Sequence, residues 1–128
     1  MAHVLLIEPD SLLARTYIRA FQHAGHSAMH AASAQAGIDQ ADTHTPDIVI
    51  LEIQLPTHNG VEFLYELRSY AEWQAMPVLI NSYMSPADLR AVEATLTGEL
   101  GVRAIYYKPR TSLQLLLRAV SEHVGTIA

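Results

Sequence analysis

The sequence predicts an α/β fold in which five parallel strands form one sheet with helices on both of its faces. Two observations lead to this prediction. Short apolar runs of strand length recur along the chain, and amphipathic stretches of helix length separate them. Apolar runs of this kind are typical of strands that are buried on both faces. Right-handed crossovers between such strands place helices on both sides of the sheet, which gives a three-layer, doubly wound domain.

Five runs are assigned to strands. Four of them are apolar throughout, whereas the second is weak and is assigned mainly because the alternation of strands and helices requires it. In chain order the predicted strands cover residues 3–7, 27–31, 48–51, 78–80 and 104–107. Each of the four apolar runs ends on polar residues, so we expect one edge of the sheet to be polar.

Five amphipathic stretches are assigned to helices, over residues 11–24, about 34–42, 60–70, 86 onwards and 113 onwards. The fourth has the clearest start, because Ser85 can cap it and Pro86 occupies its first helical position. In the third helix, Val61, Leu64 and Leu67 are expected to face the core. The residues expected to cap the other helices are Ser11, Ser33 and either Thr111 or Ser112.

Composition limits the classes of function. With 128 residues, half of them hydrophobic, the chain is long enough for one domain with its own core. The formal net charge is −5 and no cluster of Lys or Arg is visible, which argues against nucleic-acid binding. The chain also ends after its last predicted helix, so no appended DNA-binding module is expected. Regulation would then act through contact with another protein.

Three features that the sequence lacks, a membrane-spanning run, a leader and cysteine, bear on where the protein is located and on its redox chemistry. No run approaches the ~20 apolar residues that span a bilayer, and no basic and apolar leader begins the chain. We therefore expect a cytoplasmic protein without membrane contact. Cysteine is absent, which excludes disulfides and thiol chemistry.

The segment DIVILEIQLPTHNG, residues 47–60, is the most informative part of the chain, because its apolar strand ends on Glu52. Functional groups collect just beyond the carboxyl ends of the strands in an open parallel sheet. The other strands deliver acids, a hydroxyl and an amine to the same edge: Glu8, Asp10, Ser82 and Lys108. The competing interpretation of Glu52 is an exposed glutamate at a strand end.

Four segments in this order and spacing make the chain similar to a known family. They are VLLIEPD (4–10), the segment 47–60, PVLINS (77–82) and AIYYKP (104–109). Essentially the whole chain resembles the receiver domain of two-component response regulators, the CheY-like superfamily with a flavodoxin-like fold. The resemblance implies a sheet of order 2-1-3-4-5 with five helices and one receiver-like domain over residues 1–128.

The resemblance also assigns roles around the first strand, where active receivers keep two adjacent acids that hold magnesium. Glu8 matches the first acid, but Pro9 occupies the second position and Asp10 comes one residue late. Magnesium requires short, near-octahedral oxygen ligands, and proline has no side-chain oxygen. We therefore expect magnesium binding to be weak or absent and no other metal or cofactor to be held.

The phosphorylation machinery of the family can be placed in the same way. Glu52 corresponds to the phosphorylated aspartate, and Ser82 and Lys108 correspond to the residues that contact the phosphoryl group. The Lys108–Pro109 peptide bond is a candidate for the cis form that is usual in the family. Ile105 corresponds to the switch aromatic, yet it is β-branched, stiff and without a polar tip.

These departures predict a degenerate member, a pseudo-receiver. The added methylene of Glu52 displaces the nucleophile by about a bond length, and in-line attack depends on placement at the ångström level. The same extension lets its carboxylate imitate part of the phosphorylated state. We expect no catalytic residues and no enzymatic activity. The domain would instead bind a histidine kinase, another signalling protein or a second copy of itself.

Two other hypotheses stay open at this point. The first is a working phosphoacceptor in a phosphorelay that uses a shifted acid set of Glu8, Asp10 and Glu52. The second is a small-molecule binder that uses the flavodoxin-like crevice. It is the least favoured, because no glycine-rich phosphate loop follows the first strand.

One departure concerns length. Between Ser82 and Lys108 the chain has about four more residues than the family usually has, approximately one helical turn. We expect the surplus in TLTGELG, residues 95–101, as a longer fourth helix or exit loop. The fourth helix, fifth strand and fifth helix form a partner surface in the family, so an altered partner or a homodimer is predicted, with Leu115 on the outer side. The alternative is a solvent loop without consequence.

The histidines and Ser11 receive plainer interpretations. His23, His26 and His30 are close in sequence but lack the tight ligand grouping of a zinc site, so a metal role is disfavoured. His58 is taken as a loop residue and not as a phosphate carrier. Ser11 is expected to cap a helix, because no His–acid pair accompanies it as a nucleophile would require.

Overall fold

In a computed structural model that describes residues 1–57 and 59–125, five parallel strands form one sheet and five helices cover its two faces. The strands are β1 (His3–Ile7), β2 (Ser27–Ala31), β3 (Ile48–Leu51), β4 (Val78–Ser82) and β5 (Ala104–Tyr107). The helices are α1 (Ser11–His23), α2 (Ala34–Thr43), α3 (Gly60–Ser69), α4 (Pro86–Ala94) and α5 (Leu113–Gly125). The strand order is β2-β1-β3-β4-β5. The predicted flavodoxin-like fold and strand order are confirmed.

Two apolar layers hold the helices against the sheet. On one face, α1 and α5 contribute Phe21, Leu116 and Val120, which are buried against alternate residues of β1, β3 and β4. On the other face, α2, α3 and α4 pack on the remaining strand residues through side chains such as Phe63 and Leu89. Successive strand residues point to opposite faces, which is why each strand supplies both layers.

The strand register brings the carboxyl ends of the strands level with one another. Ile7 of β1 pairs with Leu51 of β3, so Glu8 and Glu52 follow at the same height. Ser82 of β4 pairs with Tyr107 of β5, immediately before Lys108. Parallel pairing therefore sets four polar residues from distant parts of the sequence at one edge of the sheet.

The helix starts agree with the predicted caps at every described position except one. The N-cap of α1 is Asp10, whose Oδ1 accepts hydrogen bonds from the backbone N–H groups of Leu12 and Leu13 at 3.0 and 3.1 Å. The prediction of Ser11 was wrong by one residue: both residue types are good caps, but Asp10 has the extended backbone of an N-cap, with φ −84° and ψ 106°, and Ser11 is already the first residue of the helix. The predicted caps of the second, fourth and fifth helices are confirmed at Ser33, Ser85 and Ser112.

The predicted core-facing residues of α3 all contact the core, and Phe63 is an additional buried residue that the prediction omitted. Phe63, Leu64 and Leu67 are buried, whereas Val61 is only half-buried. The Phe63 ring fits because α2 carries Gly37 opposite it, where an added Cβ would lie 3.1 Å from Phe63 Cε1.

The surplus residues lengthen the fourth helix, which is the first of the two predicted options. Beyond α4 the chain continues in a π-helical turn, Thr95–Glu99, in which the Leu100 N–H donates to the Thr95 carbonyl at 3.0 Å. Leu96 stays buried, so the wider turn keeps its anchor in the core. Gly101 then adopts a φ of +65°, a conformation that glycine reaches without steric cost, and turns the chain towards β5.

The expectation of a cis bond at Lys108–Pro109 was wrong. None of the peptide bonds in residues 1–57 and 59–125 is cis. The trans form is intrinsically favoured by about 0.5–1 kcal/mol even before proline. With this bond trans, residues Lys108–Arg110 form a single turn of 3-10 helix that leads towards α5.

Candidate functional site

Four buried polar side chains meet at the carboxyl edge of the sheet and form what we call the charge cluster: Glu8, Glu52, Ser82 and Lys108. The Lys108 ammonium lies between the two glutamates. It bonds to Glu8 Oε1 and, at 2.9 Å, to Glu52 Oε1. Ser82 Oγ donates to Glu52 Oε2. The structure therefore brings together four of the residues that the sequence placed at this edge.

Both oxygens of the Glu52 carboxylate are fully used. Oε1 accepts from Lys108 Nζ and from the backbone N–H of Tyr83 at 2.9 Å. Oε2 accepts from Ser82 Oγ and from the backbone N–H of Gln54 at 3.0 Å. A carboxylate has about four lone-pair directions. Every one of them is therefore occupied by a donor from the protein itself.

Glu8 is held by its backbone as well as by its side chain. Its Oε2 accepts from the backbone N–H of Asp10 at 3.0 Å, which closes the turn after β1. Its backbone N–H donates to the Ala31 carbonyl at 2.9 Å, and its own carbonyl accepts from His30 Nε2 at 2.7 Å. The sequence offered no sign of the role of His30, because the bond joins residues that are 22 positions apart.

Asp10 does not join the charge cluster. It is exposed, and its Oδ1 is taken by the first turn of α1. The expected acidic pocket of Glu8 and Asp10 is therefore corrected to Glu8 alone, because the Asp10 carboxylate caps the start of α1.

The residues present do not fit the magnesium site that the fold family implies. Pro9 supplies no side-chain oxygen, Asp10 caps a helix, and the Lys108 ammonium already occupies Glu8 Oε1. Magnesium needs several oxygen ligands in near-octahedral arrangement, usually including one or two carboxylates free to approach it. Weak or absent magnesium binding stays a prediction.

The electrostatics of the cluster are those of a buried, nearly compensated ion group. Burial by itself raises the pKa of Glu52, but the hydrogen bonds from Ser82, Gln54, Tyr83 and Lys108 outweigh it and lower that pKa. Burial by itself lowers the pKa of Lys108, but the bonds and charges of Glu8 and Glu52 outweigh it and raise that pKa. With two carboxylates on one ammonium, the cluster keeps one negative charge in excess.

These shifts predict a pH dependence of stability. A carboxyl whose pKa is lowered by folding stabilises the protein above its ordinary pKa, near 4.5 for Glu52, and loses that contribution as the pH falls through the folded value. A lysine whose pKa is raised by folding contributes below its ordinary pKa, near 10.5 for Lys108, and loses the contribution as the pH rises through the folded value. We expect the contribution of these two groups to the free energy of unfolding to be level between these limits and to fall on both sides.

Urea unfolding from pH 3 to pH 8 checks the acid side. The Glu52→Gln variant is expected to lose part of the acid dependence, whereas Glu93→Gln, an exposed position on α4, should keep the slope of the unmodified protein. Equal slopes in all three proteins would mean that Glu52 is not the group that the cluster stabilises in its charged form.

Two tyrosines border the cluster and were not recognised in the sequence. The ring of Tyr83 lies under Lys108 Nζ, 4.4 Å from the ring centroid, and the side chain is 52% exposed. Tyr17 of α1 accepts a hydrogen bond from Asn81 Nδ2 at 3.3 Å, and burial raises the pKa of its hydroxyl. The only available signal for Tyr83 was its position directly after Ser82.

The switch position is occupied as expected but is not part of the cluster. Ile105 is half-buried and packs on the α2–α3–α4 side of the sheet with Tyr107, whereas Tyr106 faces the α1–α5 side. The two tyrosines thus lie on different faces of the sheet. An isoleucine side chain makes no hydrogen bond that could follow a movement of Ser82.

The three histidines that are close in sequence do not share a site: one is exposed and the other two make separate hydrogen bonds. His23 is exposed, His26 Nδ1 accepts from the Ala2 N–H at 3.0 Å, and His30 bonds to the Glu8 carbonyl. In the ranges 1–57 and 59–125, no three His, Cys, Asp or Glu side chains form a group that could hold a metal ion. His58 lies outside the described residues.

Comparison with known proteins covers most of the chain. A profile of the response regulator receiver domain family matches residues 4–119. The KDP operon transcriptional regulatory protein KdpE of Escherichia coli K12 is 34% identical over 85 residues, which are 66% of this chain and 36% of that protein. The probable transcriptional regulatory protein TcrX of Mycobacterium tuberculosis is 28% identical over 96 residues, or 75% of this chain and 40% of that protein. The chain thus spans less than half the length of these relatives.

Solved structures agree with the fold over nearly the full length. A sensor protein from Polaromonas sp. JS666 superposes with a TM-score of 0.85 at 19% identity and covers 98% of both chains. A CheY-like response regulator receiver domain protein from Methanospirillum hungatei JF-1 has a TM-score of 0.85 at 17% identity, covering 98% of this chain and 95% of that one. At these identities the likeness shows the fold.

Proposed function

Because the chain belongs to the response regulator receiver domain family of two-component signalling, we propose that it is an atypical receiver. Its phosphoacceptor position is closed by an internal ion cluster, and the domain acts by binding another protein. Residues 1–128 form one receiver-like unit without enzymatic activity of its own.

The observation that carries this proposal is the complete hydrogen bonding of the Glu52 carboxylate. Attack on a phosphoryl group requires a free oxygen lone pair directed at phosphorus. Here both oxygens are already bonded to Lys108, Ser82 and two backbone N–H groups. The lowered pKa of Glu52 has the same origin, since donors that stabilise the carboxylate also make it a weaker nucleophile.

In the family, the lysine at the position of Lys108 contacts the phosphoryl group, whereas here Lys108 is already paired with two glutamates. Its single positive charge is shared between Glu8 and Glu52, so none is left for an incoming phosphoryl group. A phosphoryl group would add up to two negative charges to a buried site that already has one in excess. Repulsion and desolvation both oppose that addition.

The cluster then fixes one state of the domain. In place of a reversible modification, a permanent ion group joins β1, β3 and β5, and Ile105 offers no polar contact that would report a change. A domain that does not change its conformational state takes part in signalling by binding another protein, as an interaction module does.

The proposed partner is a signalling protein, such as a histidine kinase, or a second copy of this chain. We assign the contact to α4, β5 and α5. This surface carries the π-helical turn and an open cavity of about 270 Å³ lined by Tyr106, Leu115, Arg118 and Glu122. Leu115 is half-buried at its rim, which supports the predicted outward position. The net charge of −5 is compatible with a protein partner and unfavourable for binding nucleic acid.

We place the domain in the cytoplasm, where two-component receivers meet their kinases. Within the described part of the chain, no helix has the length and apolar character needed to cross a bilayer.

Incubation with acetyl phosphate and magnesium, followed by intact-mass spectrometry, tests the proposal. We expect no mass increase of one phosphoryl group in the unmodified protein. The matched control is the double variant Pro9→Asp with Glu52→Asp, which restores the acids of the family and is expected to gain phosphorylation. A stoichiometric adduct on Glu52 would overturn the proposal and favour a working phosphoacceptor, in which Asp10 leaves the helix cap to assist Glu8.

A further inference from the structure

Two arginines meet at the opposite edge of the sheet from the charge cluster. Arg68, near the end of α3, donates from Nη1 to the Trp73 carbonyl at 2.6 Å and from Nε to the Leu100 carbonyl at 2.8 Å. Its Nη2 makes a long bond of 3.4 Å to the Gly101 carbonyl. The guanidinium thus joins the π-helical turn to the connection that leads into β4.

Arg103 approaches the same connection from the side of β5. Its Nη2 donates to the Ala75 carbonyl at 3.3 Å and its Nη1 to the His123 carbonyl at 3.4 Å. The carbonyls that the two arginines contact, at Trp73 and Ala75, are only two residues apart. The exposed Gln74 lies between them, so two guanidiniums flank one short, solvent-facing segment.

Among the described residues, no carboxylate pairs with either guanidinium. Within residues 1–57 and 59–125, every hydrogen bond of Arg68 and Arg103 goes to a backbone carbonyl, and neither side chain forms an ion pair. Burial and the nearby positive charge of Arg103 lower the pKa of Arg68, which remains protonated. Arg68 and Arg103 stand out among the seven arginines of the chain because their side chains bond to carbonyls of one short connection, at Trp73 and Ala75.

An open cavity of about 330 Å³ adjoins Arg68. The other residues that line it are Gln74, Gly98, Glu99, Leu100 and Gly101. Four of these belong to the π-helical turn or its exit, so the surplus residues of this chain form one wall. A Cβ added at Gly98 would meet nothing within 4 Å, which leaves that wall open. The single acid, Glu99, is engaged elsewhere, because its Oε2 accepts from the Tyr65 hydroxyl at 2.9 Å.

We propose that Arg68, Arg103 and Gln74 form a binding site for a phosphate group, carried by a small phosphomonoester or as free inorganic phosphate. Guanidinium groups bind phosphate through paired N–H donors. Two of them favour a doubly charged anion over a singly charged carboxylate. The cavity beside Arg68 has room for an organic substituent. This site is independent of the charge cluster, so its test does not depend on the proposed function.

Nuclear magnetic resonance titration of the full chain with inorganic phosphate and with O-phosphoserine tests the site. Ionic strength is held constant with potassium chloride, because exposed charges are screened by salt. We expect saturable shifts of the amide signals of Gln74, Gly98 and Gly101. Tighter binding of O-phosphoserine than of phosphate would assign the cavity to an organic substituent, and equal binding would assign the site to free phosphate.

Arg103→Gln is the decisive variant, since Arg103 is exposed and the substitution leaves the core intact. We expect it to weaken phosphate binding by about tenfold or more, as loss of a charged hydrogen-bond donor does. Arg90→Gln, at an exposed position on α4, is the matched control and should bind as the unmodified chain does. Absence of saturable shifts with both probes, or equal affinity in Arg103→Gln, would overturn the proposal.

Discussion

Replacement of Lys108 by methionine is expected to lower the free energy of unfolding by about 3–5 kcal/mol. The substitution leaves Glu8 and Glu52 buried next to each other, at 2% and 3% exposure, without the ammonium that both contact. A buried ion group that loses one partner costs far more than the group itself contributes. Urea unfolding at pH 7, followed by far-ultraviolet circular dichroism, measures the loss.

The triple variant Lys108→Met, Glu8→Gln, Glu52→Gln separates this explanation from a packing defect. Removing the two negative charges along with the positive one should recover a large part of the stability, because neutral amides are less costly to bury than unpaired carboxylates. Equal stability of the single and triple variants would indicate that the loss comes from the lysine stem and not from unpaired charge.

Replacement of Phe63 by alanine is expected to cost about 3–5 kcal/mol, the usual range for a buried phenylalanine. The Phe63 side chain is 1% exposed and fills the space between α3, β1 and Gly37 of α2. Alanine would leave a cavity that the helices cannot close without losing their other contacts to the sheet. The unfolding midpoint in urea, with the slope compared between variants, gives the change.

Two neighbours on the same helix provide the controls for Phe63. Glu66→Ala changes an exposed side chain and should alter stability by no more than about 0.5 kcal/mol. Val61→Ala removes a half-buried side chain and should cost less than Phe63→Ala. If Val61→Ala were the more costly of the two, Phe63 would not be the main apolar contact that α3 makes.

The strands and the fold class could be predicted because a sheet covered by helices on both faces requires apolar side chains on both sides of each strand. Runs such as Ile48–Leu51 must be apolar on both sides, and few other structures require this. Even Ser27–Ala31, with a weak pattern, was correctly assigned, because the alternation of strands and helices requires a strand between the first two helices. The common edge of Glu8, Glu52, Ser82 and Lys108 followed from parallel pairing.

What could not be predicted depends on contacts between distant segments or on single-residue choices. Asp10 and Ser11 are adjacent and both can cap a helix, so only the structure decides between them. The bonds of His30 to Glu8 and of Arg68 to Leu100 join residues 22 and 32 positions apart. Phe63 was a different kind of omission, since it lies three residues after the buried Gly60, at ordinary helical spacing.

The position of Lys108 between two glutamates also affects how the sheet opens. Its ammonium joins the tips of β1, β3 and β5, and Ser82 adds β4 through Glu52. None of these four strands can fray at its tip without breaking a bond to another, so this end should unfold as one cooperative unit. Of the five strands, β2 alone has no residue in the charge cluster; the backbone ladder to β1 and the bond from His30 to the Glu8 carbonyl hold it to the rest of the sheet.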